Sequence, residues 1–192
     1  MDTVKFWAAC LASYNNGELH GAWIDATNDA DEMQAQVDAM LRRSKFPNIV
    51  RKDEDGVEYA TAEEWCIHDY DDADGIISGL GETSDLKAIA SRIEAAELAE
   101  DALGTVGPEI VAAYWSNMGN QPDDAHDAVQ QASDAYQGEF DTWEDFAYEY
   151  IQNHGLLDGV PEFLQNYFDY AAYGRDMKCD HFREGKYFFQ NI

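Results

Sequence analysis

The spacing of apolar residues along the first part of the chain predicts strands and a helix. Residues 4–11 alternate weakly, and an Asn-Gly pair at 16–17 then gives the turn signal of a hairpin, with a second short strand after it. Between 29 and 43 the apolar residues recur at helical spacing, which predicts a helix. Residues 64–70 are typical of a third strand, and the polar segment 42–61 is predicted to be a loop.

The middle of the chain has the pattern of three helices. Ser84 is a candidate N-cap for the first helix, and Gly104 is expected to end it. Pro108 is expected to open a second helix that ends at Gly119, and Pro122 to open a third. This part of the chain therefore predicts a small, all-helical region.

The last part of the chain returns to a mixed pattern. Thr142 stands in near capping-box spacing before a strongly periodic apolar run, which predicts a helix. Pro161 is expected to open a further helix that ends at Gly174. Residues 181–190 predict a closing hairpin with Gly185 in its turn.

The predicted helix from Pro161 to Gly174 is apolar on two faces. One stripe is sufficient to seat the helix on its own domain. The second stripe is aromatic, and aromatic side chains with hydrogen-bonding tips are enriched where proteins meet. Burial of both faces within one domain is equally compatible with this spacing. The stripes are Leu164, Tyr167, Phe168 and Ala171 on the first face, and Phe163, Asn166, Tyr170 and Tyr173 on the second.

Charge separates this chain from most globular proteins. It has 39 acidic against 12 basic residues and a net charge of −27. The excess is spread along the chain: residues 1–80 carry −11, residues 81–140 carry −10 and residues 141–192 carry −6. Nucleic acid and anionic membranes are disfavoured as partners, because both attract basic proteins. The charge instead predicts acidic, solvated faces from end to end.

The sequence contains no recognised motif for a catalytic site or a metal site. Residues 70–81 fail the EF-hand pattern, because position 1 is a tyrosine and position 12 a glycine. The three cysteines and five histidines lack zinc-site spacing, and no phosphate-binding or hydrolase motif is present. We therefore predict no metal, no cofactor and no enzymatic activity. The odd, widely spaced cysteines and the absence of an apolar leader predict a cytoplasmic protein with reduced thiols.

Three stretches resemble the ArdA antirestriction family. They are YNNGELHGAWIDA at 14–26, EEWCIHDYD at 63–71 and GVPEFLQNYFDYAAYGRDM at 159–177. They occur in the order of the family and near both ends, so the resemblance covers essentially the whole chain. The last stretch is the most specific, because it resembles the antirestriction motif of the family.

The resemblance implies an elongated α+β protein of three small domains. These are an N-terminal domain of sheet plus helix at 1–80, a helical middle domain at 81–135 and a C-terminal α+β domain at 136–192. It also implies a homodimer joined through the C-terminal domains. Such a dimer imitates bent B-form DNA and occupies the DNA-binding groove of Type I restriction-modification enzymes, which protects the DNA of mobile genetic elements.

Two groups of residues become candidates on this basis. The dimer and antirestriction motif comprises Phe163, Leu164, Gln165, Asn166, Tyr167, Asp169, Tyr170, Tyr173, Gly174, Arg175 and Asp176. The densest acidic clusters, expected to imitate phosphates collectively, are Asp69, Asp71, Asp72 and Asp74 after the third strand, and Glu94, Glu97, Glu100 and Asp101 on the first middle helix.

Two other functions fit the composition. A general acidic scaffold or chaperone for basic proteins has the same charge, and only selectivity separates it from a DNA mimic. A carboxylate-based hydrolase is a third possibility, although spacing singles out no acid pair among 39 carboxylates. The segment 42–61 departs from the family in length and in holding five of the twelve bases.

Overall fold

A computed structural model describes residues 3–117 and 124–192. These residues form an α+β fold of eight α-helices and three small sheets. They divide into two compact units, the first unit (3–112 and 124–129) and the second unit (113–117 and 130–192). The elements are β1 (Lys5–Cys10), α1 (Leu11–Asn15), β2 (Gly21–Asp25), α2 (Ala30–Leu41), β3 (Ile49–Lys52), β4 (Glu58–Thr61), β5 (Trp65–Asp71), a 3-10 turn (Ser78–Leu80), α3 (Leu86–Leu103), α4 (Gly107–Asn117), α5 (Ala125–Ala135), β6 (Tyr136–Glu139), α6 (Trp143–Asn153), α7 (Glu162–Gln165), α8 (Tyr170–Met177), β7 (His181–Glu184) and β8 (Tyr187–Gln190).

The first unit is built on an antiparallel sheet with the strand order β2-β1-β5. The predicted hairpin and third strand are confirmed. One side of the sheet carries Phe6 and Ala8, which pack with Met33 of α2 and Ile93 of α3 in a single hydrophobic core. The short helix α1 between β1 and β2 is absent from the sequence prediction, because the turn signal at Gly17 (φ 77°) masks the helical turn before it.

The two long helices of the first unit begin at aspartate caps. The Asp29 carboxylate accepts hydrogen bonds from two backbone N–H groups of α2, which confirms the predicted start. Helix α3 begins in the same way at Asp85, so the expected cap at Ser84 is wrong by one residue. A carboxylate also opposes the positive end of the helix dipole, which a serine hydroxyl does not. Gly104 ends α3 as predicted, with φ 80°.

Segment 42–61 is not the loop that the sequence predicts. Its strands β3 and β4 form an antiparallel hairpin. The Asp53 carboxylate accepts a hydrogen bond from the Val57 N–H at 2.8 Å and so closes the turn. The Arg42 guanidinium lies 4.2 Å from the Tyr59 ring centre and donates to its hydroxyl at 2.8 Å. Strands of four residues with charged side chains show no clear apolar alternation, which explains why the pattern favours a loop.

The second unit combines a sheet of order β6-β8-β7 with α6 and α8. The pairing of β7 with β8 confirms the predicted closing hairpin. Helix α6 begins at Thr142, whose hydroxyl accepts a hydrogen bond from the backbone of its first turn, as predicted. Its Phe146 packs with Met177 and Phe188 in the core. Strand β6 is absent from the prediction, because its four residues, with Gly138 third, lack alternation.

The prediction of a single helix from Pro161 to Gly174 is wrong. Two helices, α7 and α8, take its place, and Asp169 caps the second by accepting a hydrogen bond from the Ala172 N–H at 2.8 Å. Gly174 lies within α8 and not at its end. A Cβ at this position would stand 2.5 Å from the Trp143 carbonyl oxygen, so glycine lets α8 approach α6 closely.

The middle helices are present, with small differences at their ends. Helix α4 begins at Gly107, one residue before the predicted Pro108. The predicted stop at Gly119 and start at Pro122 lie outside the described residues. The division into three domains at 1–80, 81–135 and 136–192 stays a prediction. Among the described residues, no helix combines the length and apolar character needed to cross a membrane.

Candidate functional site

One exposed side of α3 carries carboxylates at successive turns. Glu94, Glu97 and Asp101 are exposed and share one stripe, because they stand at positions i, i+3 and i+7. At about 1.5 Å per residue they span roughly 10 Å of the helix axis. The acids are therefore about 5 Å apart along the axis, compared with one charge per about 3.4 Å on each strand of B-DNA, so this stripe has roughly two thirds of the charge density of a single strand. Glu100 is half-buried and lies beside the stripe, and Glu97 accepts a hydrogen bond from Asn28 at 2.8 Å.

The acids after the third predicted strand have different environments. Asp69 and Asp71 are exposed on β5, where they stand opposite Trp7 and Lys5 of β1. Since alternate strand residues face the same side, both carboxylates lie on the side of the sheet away from the core. Asp74, in the turn that follows, is half-buried.

Asp72 is engaged in local structure. Its carboxylate accepts hydrogen bonds from the backbone N–H groups of Ile76, Ile77 and Ser78 at 3.0, 2.7 and 2.8 Å. The buried Arg92 of α3 donates from Nη1 to the Ile76 carbonyl oxygen at 2.9 Å. Burial lowers the pKa of the Arg92 guanidinium, and the charge of Asp72 acts in the opposite direction. Asp72 and Arg92 therefore hold the loop after β5 from two sides.

Segment 159–177 exposes a run of apolar side chains. Phe163, Leu164 and Tyr167 are 66%, 47% and 83% exposed, and Val160 is also exposed. The prediction that Leu164 and Tyr167 lie on an inner face is wrong, because both are exposed and α7 ends at Gln165, so the two side chains do not share one helical face. Large apolar residues that are exposed together in one segment are typical of an interaction surface.

The aromatic residues that follow pack within the second unit. The Phe168 ring lies 4.9 Å from Tyr170 and 5.9 Å from Tyr173. Tyr170 in turn lies 5.2 Å from Tyr148 of α6. Tyr173 packs against the core, and burial raises the pKa of its hydroxyl. Both tyrosines are half-buried, and their part in a dimer interface stays a prediction.

The polar residues of this segment differ in what they contact. The Gln165 side chain donates to the Val160 carbonyl oxygen at 2.9 Å, which fixes the turn before α7. Asp169 caps α8, and Gly174 is buried against α6. The other polar candidate residues, Asn166, Arg175 and Asp176, are exposed.

An acidic groove in the second unit was not identified from the sequence. It is open, has a volume of about 460 Å³ and includes the exposed Tyr148. Glu139 also forms an ion pair with Lys186 at 3.0 Å. The sequence signal was the i, i+4 spacing of two of these acids on α6. The four carboxylates of the groove are Glu139, Asp141, Asp145 and Glu149.

The bases around segment 42–61 are largely matched by nearby acids. Three of the five form ion pairs within the first unit, and Arg42 lies over Tyr59. The hairpin therefore adds little positive field to the acidic surface. The pairs are Lys45 with Glu18, Arg51 with Asp38 at 3.9 Å and Lys52 with Glu58 at 3.5 Å.

The acidic side chains do not form a metal site in the part of the chain that the structure describes. No group of three or more His, Cys, Asp or Glu residues there is arranged to hold a metal ion. The acids of the α3 stripe and the exposed acids of β5 form a charged surface and not a coordination shell. Exposed carboxylates of this kind can form ion pairs with cationic groups.

Comparison with known proteins shows that the chain matches a protein family. The model of a family described as Antirestriction protein (ArdA) matches residues 6–189. The match extends from β1 to β8 and so contains the α3 stripe, the acids of β5 and segment 159–177. It confirms the resemblance found in the three sequence stretches. A search of curated proteins gives no match.

Proposed function

Because the chain belongs to the ArdA family of antirestriction proteins, we propose that it occupies the DNA-binding groove of Type I restriction-modification enzymes as a mimic of bent B-form DNA. It competes with DNA at equilibrium and performs no catalysis. Its site of action is the cytoplasm, where it protects the incoming DNA of mobile genetic elements. The observation that carries this proposal is a net charge of −27 spread over the whole chain, with exposed carboxylates in both units.

The amount of charge fits an extended competitor. B-DNA carries one charge per about 1.7 Å of its axis, so the charge of two protomers, twice −27, corresponds to about 90 Å of duplex, or on the order of 27 base pairs. Ion pairs such as Lys5 with Asp25 at 3.1 Å reduce this number. A long DNA channel lined by Lys and Arg is the partner that such a surface complements.

The proposed contacts are collective. The α3 stripe of Glu94, Glu97 and Asp101 is the strongest candidate in the first unit, because its spacing resembles phosphates and its side chains are exposed. Each exposed ion pair contributes only about 0.2–1 kcal/mol, so no single acid is expected to dominate. The acidic groove around Tyr148 is a second candidate, in the second unit.

The test is binding of this protein to a purified Type I enzyme, together with displacement of labelled DNA. We expect displacement near stoichiometric amounts, and direct binding that weakens at least about tenfold between 50 and 200 mM salt. The variant Glu94→Gln/Glu97→Gln/Asp101→Asn should bind about 5- to 100-fold more weakly. Each single substitution should change binding less than about fivefold.

A matched control keeps the net charge of that variant. Glu54→Gln/Asp55→Asn/Glu63→Gln also removes three exposed acids, but two of them lie at the tip of the β3–β4 hairpin. It should bind almost like the unchanged protein. A general acidic binder of basic proteins would lose the same affinity for the enzyme in both triple variants. Its parent protein would also bind polylysine as tightly as it binds the enzyme. Absence of DNA displacement by the folded protein would reject the mimic.

We also propose that two copies join through segment 159–177. The supporting observation is the exposed apolar run in that segment, which includes Phe163 and Tyr167. Burying such side chains against their equivalents removes apolar surface from water, at about 25 cal/mol per Å². In a two-fold symmetric dimer the same patch of both copies meets, so this apolar run would contact its equivalent in the second copy.

The variant Phe163→Glu/Tyr167→Glu is expected to be monomeric in sedimentation velocity experiments, because it places four charges at a two-fold interface. The mutated side chains are exposed, so its circular dichroism should not change. Leu19→Glu, which alters an 85% exposed residue of the first unit, is the control and should remain dimeric. A monomeric parent protein, or a double variant that still dimerises, would contradict this interface.

A further inference from the structure

The outer side of the N-terminal sheet presents two ordered rows of side chains. Directly paired strand residues share one side of a sheet. The register therefore places Trp23, Trp7 and Asp69 in one row across β2, β1 and β5. The next row consists of Asp25, Lys5 and Asp71. The opposite side of the sheet is the one covered by α2 and α3 in the core.

The indole rings of Trp7 and Trp23 contact each other and form an aromatic platform. The Trp7 and Trp23 ring centres are 5.6 Å apart, with their planes at 69°. Trp7 leans across β2 at Gly21, where a Cβ would stand 2.8 Å from the indole and 2.4 Å from the Ala8 carbonyl oxygen. Only glycine leaves room for this arrangement. Trp23 remains 45% exposed, while its neighbour Trp7 is half-buried.

Acidic groups surround this aromatic platform. Asp69 is exposed at one end of the tryptophan row, and Asp25 and Asp71 are exposed in the next row. Lys5 lies between those two residues in the strand register, and its ammonium pairs with Asp25 at 3.1 Å. The sheet thus already holds one cation of its own next to the tryptophans. A surface of indole rings edged by carboxylates complements a cationic, planar group.

From this geometry we infer that the outer side of the N-terminal sheet is a binding surface for arginine side chains of a partner protein, with the guanidinium stacked on Trp23 and hydrogen-bonded to Asp69. Arginine fits better than lysine, because a guanidinium both stacks on an aromatic ring and bonds a carboxylate in two-pronged fashion. Tryptophan is also the strongest aromatic partner for a cation.

The inference deepens the proposed function and rests on it for the identity of the partner. A protein channel that binds DNA presents arginine as well as lysine to the phosphates. Exposed carboxylates form ion pairs with lysine as well as with arginine, whereas the tryptophan platform adds a preference for arginine. The sheet would then hold the first unit on the partner in addition to the salt-sensitive contacts of the acidic stripe on α3, a helix that covers the other side of the sheet.

The test observes the site directly, without a restriction enzyme. The indole N–H signals of the ¹⁵N-labelled, full-length protein are followed by NMR during titration with deca-arginine and, separately, with deca-lysine. The Trp23 and Trp7 signals are assigned from the variants Trp23→Leu and Trp7→Leu. We expect saturable shifts of the Trp23 signal with deca-arginine, and an affinity for it about two- to fivefold higher than for deca-lysine.

Variants separate the aromatic from the electrostatic contribution. Trp23→Leu should lose the preference for arginine, while Trp23→Phe, which keeps an aromatic face, should retain part of it. Asp69→Asn should weaken deca-arginine binding about two- to fivefold. Tyr14→Leu removes another aromatic side chain of the first unit, one that is 53% exposed, and should leave the preference unchanged.

Two results would overturn the inference. One is a Trp23 signal that does not move, or that moves equally with both peptides. The other is a change from dimer to monomer in Trp23→Leu with no change in peptide binding, because the platform would then be a contact between copies of this chain. If the parent protein showed the arginine preference in the peptide titration but did not inhibit a Type I enzyme, the result would count against the proposed function alone.

Discussion

Replacement of Gly174 by alanine is expected to destabilise the second unit by about 2 kcal/mol or more. The added methyl group would lie 2.5 Å from the Trp143 carbonyl oxygen and 2.9 Å from its carbonyl carbon. These are backbone atoms and cannot rotate away, so α8 must move off α6. In an exposed helix the same substitution would stabilise by up to about 1 kcal/mol, which makes a net loss diagnostic of close packing.

The measurement is thermal unfolding together with hydrogen exchange of the α8 amides. Exchange in α8 should accelerate more than exchange in α2 or α3, which belong to the first unit. Gly79→Ala is the control, because a Cβ there would meet only the Arg92 guanidinium, at an ordinary 3.4 Å. If Gly174→Ala were as stable as the parent protein, the close packing of α8 on α6 would be refuted.

The same glycine shows how far the sequence predicted the fold. Strong periodicity and caps correctly gave β1, β2, α2 and α6, because their patterns depend on local geometry. Gly174 was expected to end a helix, since glycine after an apolar run is usually a stop signal. Its actual role, close approach to α6, depends on a contact between segments about 30 residues apart, which no local pattern contains.

The sequence identified many of the acidic residues of the candidate site but not how the fold groups them. The sequence placed four acids on the first middle helix by their density, and the helix sets Glu94, Glu97 and Asp101 on one exposed face, while Glu100 is half-buried. The platform of Trp7 and Trp23 required the strand register, which a single sequence does not give reliably. The acidic groove around Tyr148 required the end of β6 to meet α6, a tertiary contact that was not part of the prediction.

Asp72 shows that some acids of this chain stabilise the fold instead of facing solvent. The sequence places it among Asp69, Asp71 and Asp74 with no feature to distinguish it. In the folded chain its carboxylate accepts three backbone hydrogen bonds, whereas Asp71 is exposed. Charge density along a sequence therefore overestimates the number of carboxylates available to imitate phosphates.

Asp72→Asn is accordingly expected to lower the free energy of unfolding of the first unit by about 2–4 kcal/mol. An asparagine has a single acceptor oxygen, and its NH₂ group would face backbone N–H donors. The buried Arg92 would also lose the nearby charge that opposes its desolvation. Urea denaturation, followed by hydrogen exchange of the loop from 72 to 80, measures the effect.

Asp71→Asn removes the same charge one residue earlier and is the matched control, expected to change stability by less than about 0.5 kcal/mol. Binding of the folded proteins to a Type I enzyme completes the comparison. Both variants should bind within about fivefold of the parent protein, since each removes at most one surface charge. If Asp72→Asn kept full stability but lost most of its binding, Asp72 would be a direct contact with the enzyme and its hydrogen bonds in the loop would be of minor importance.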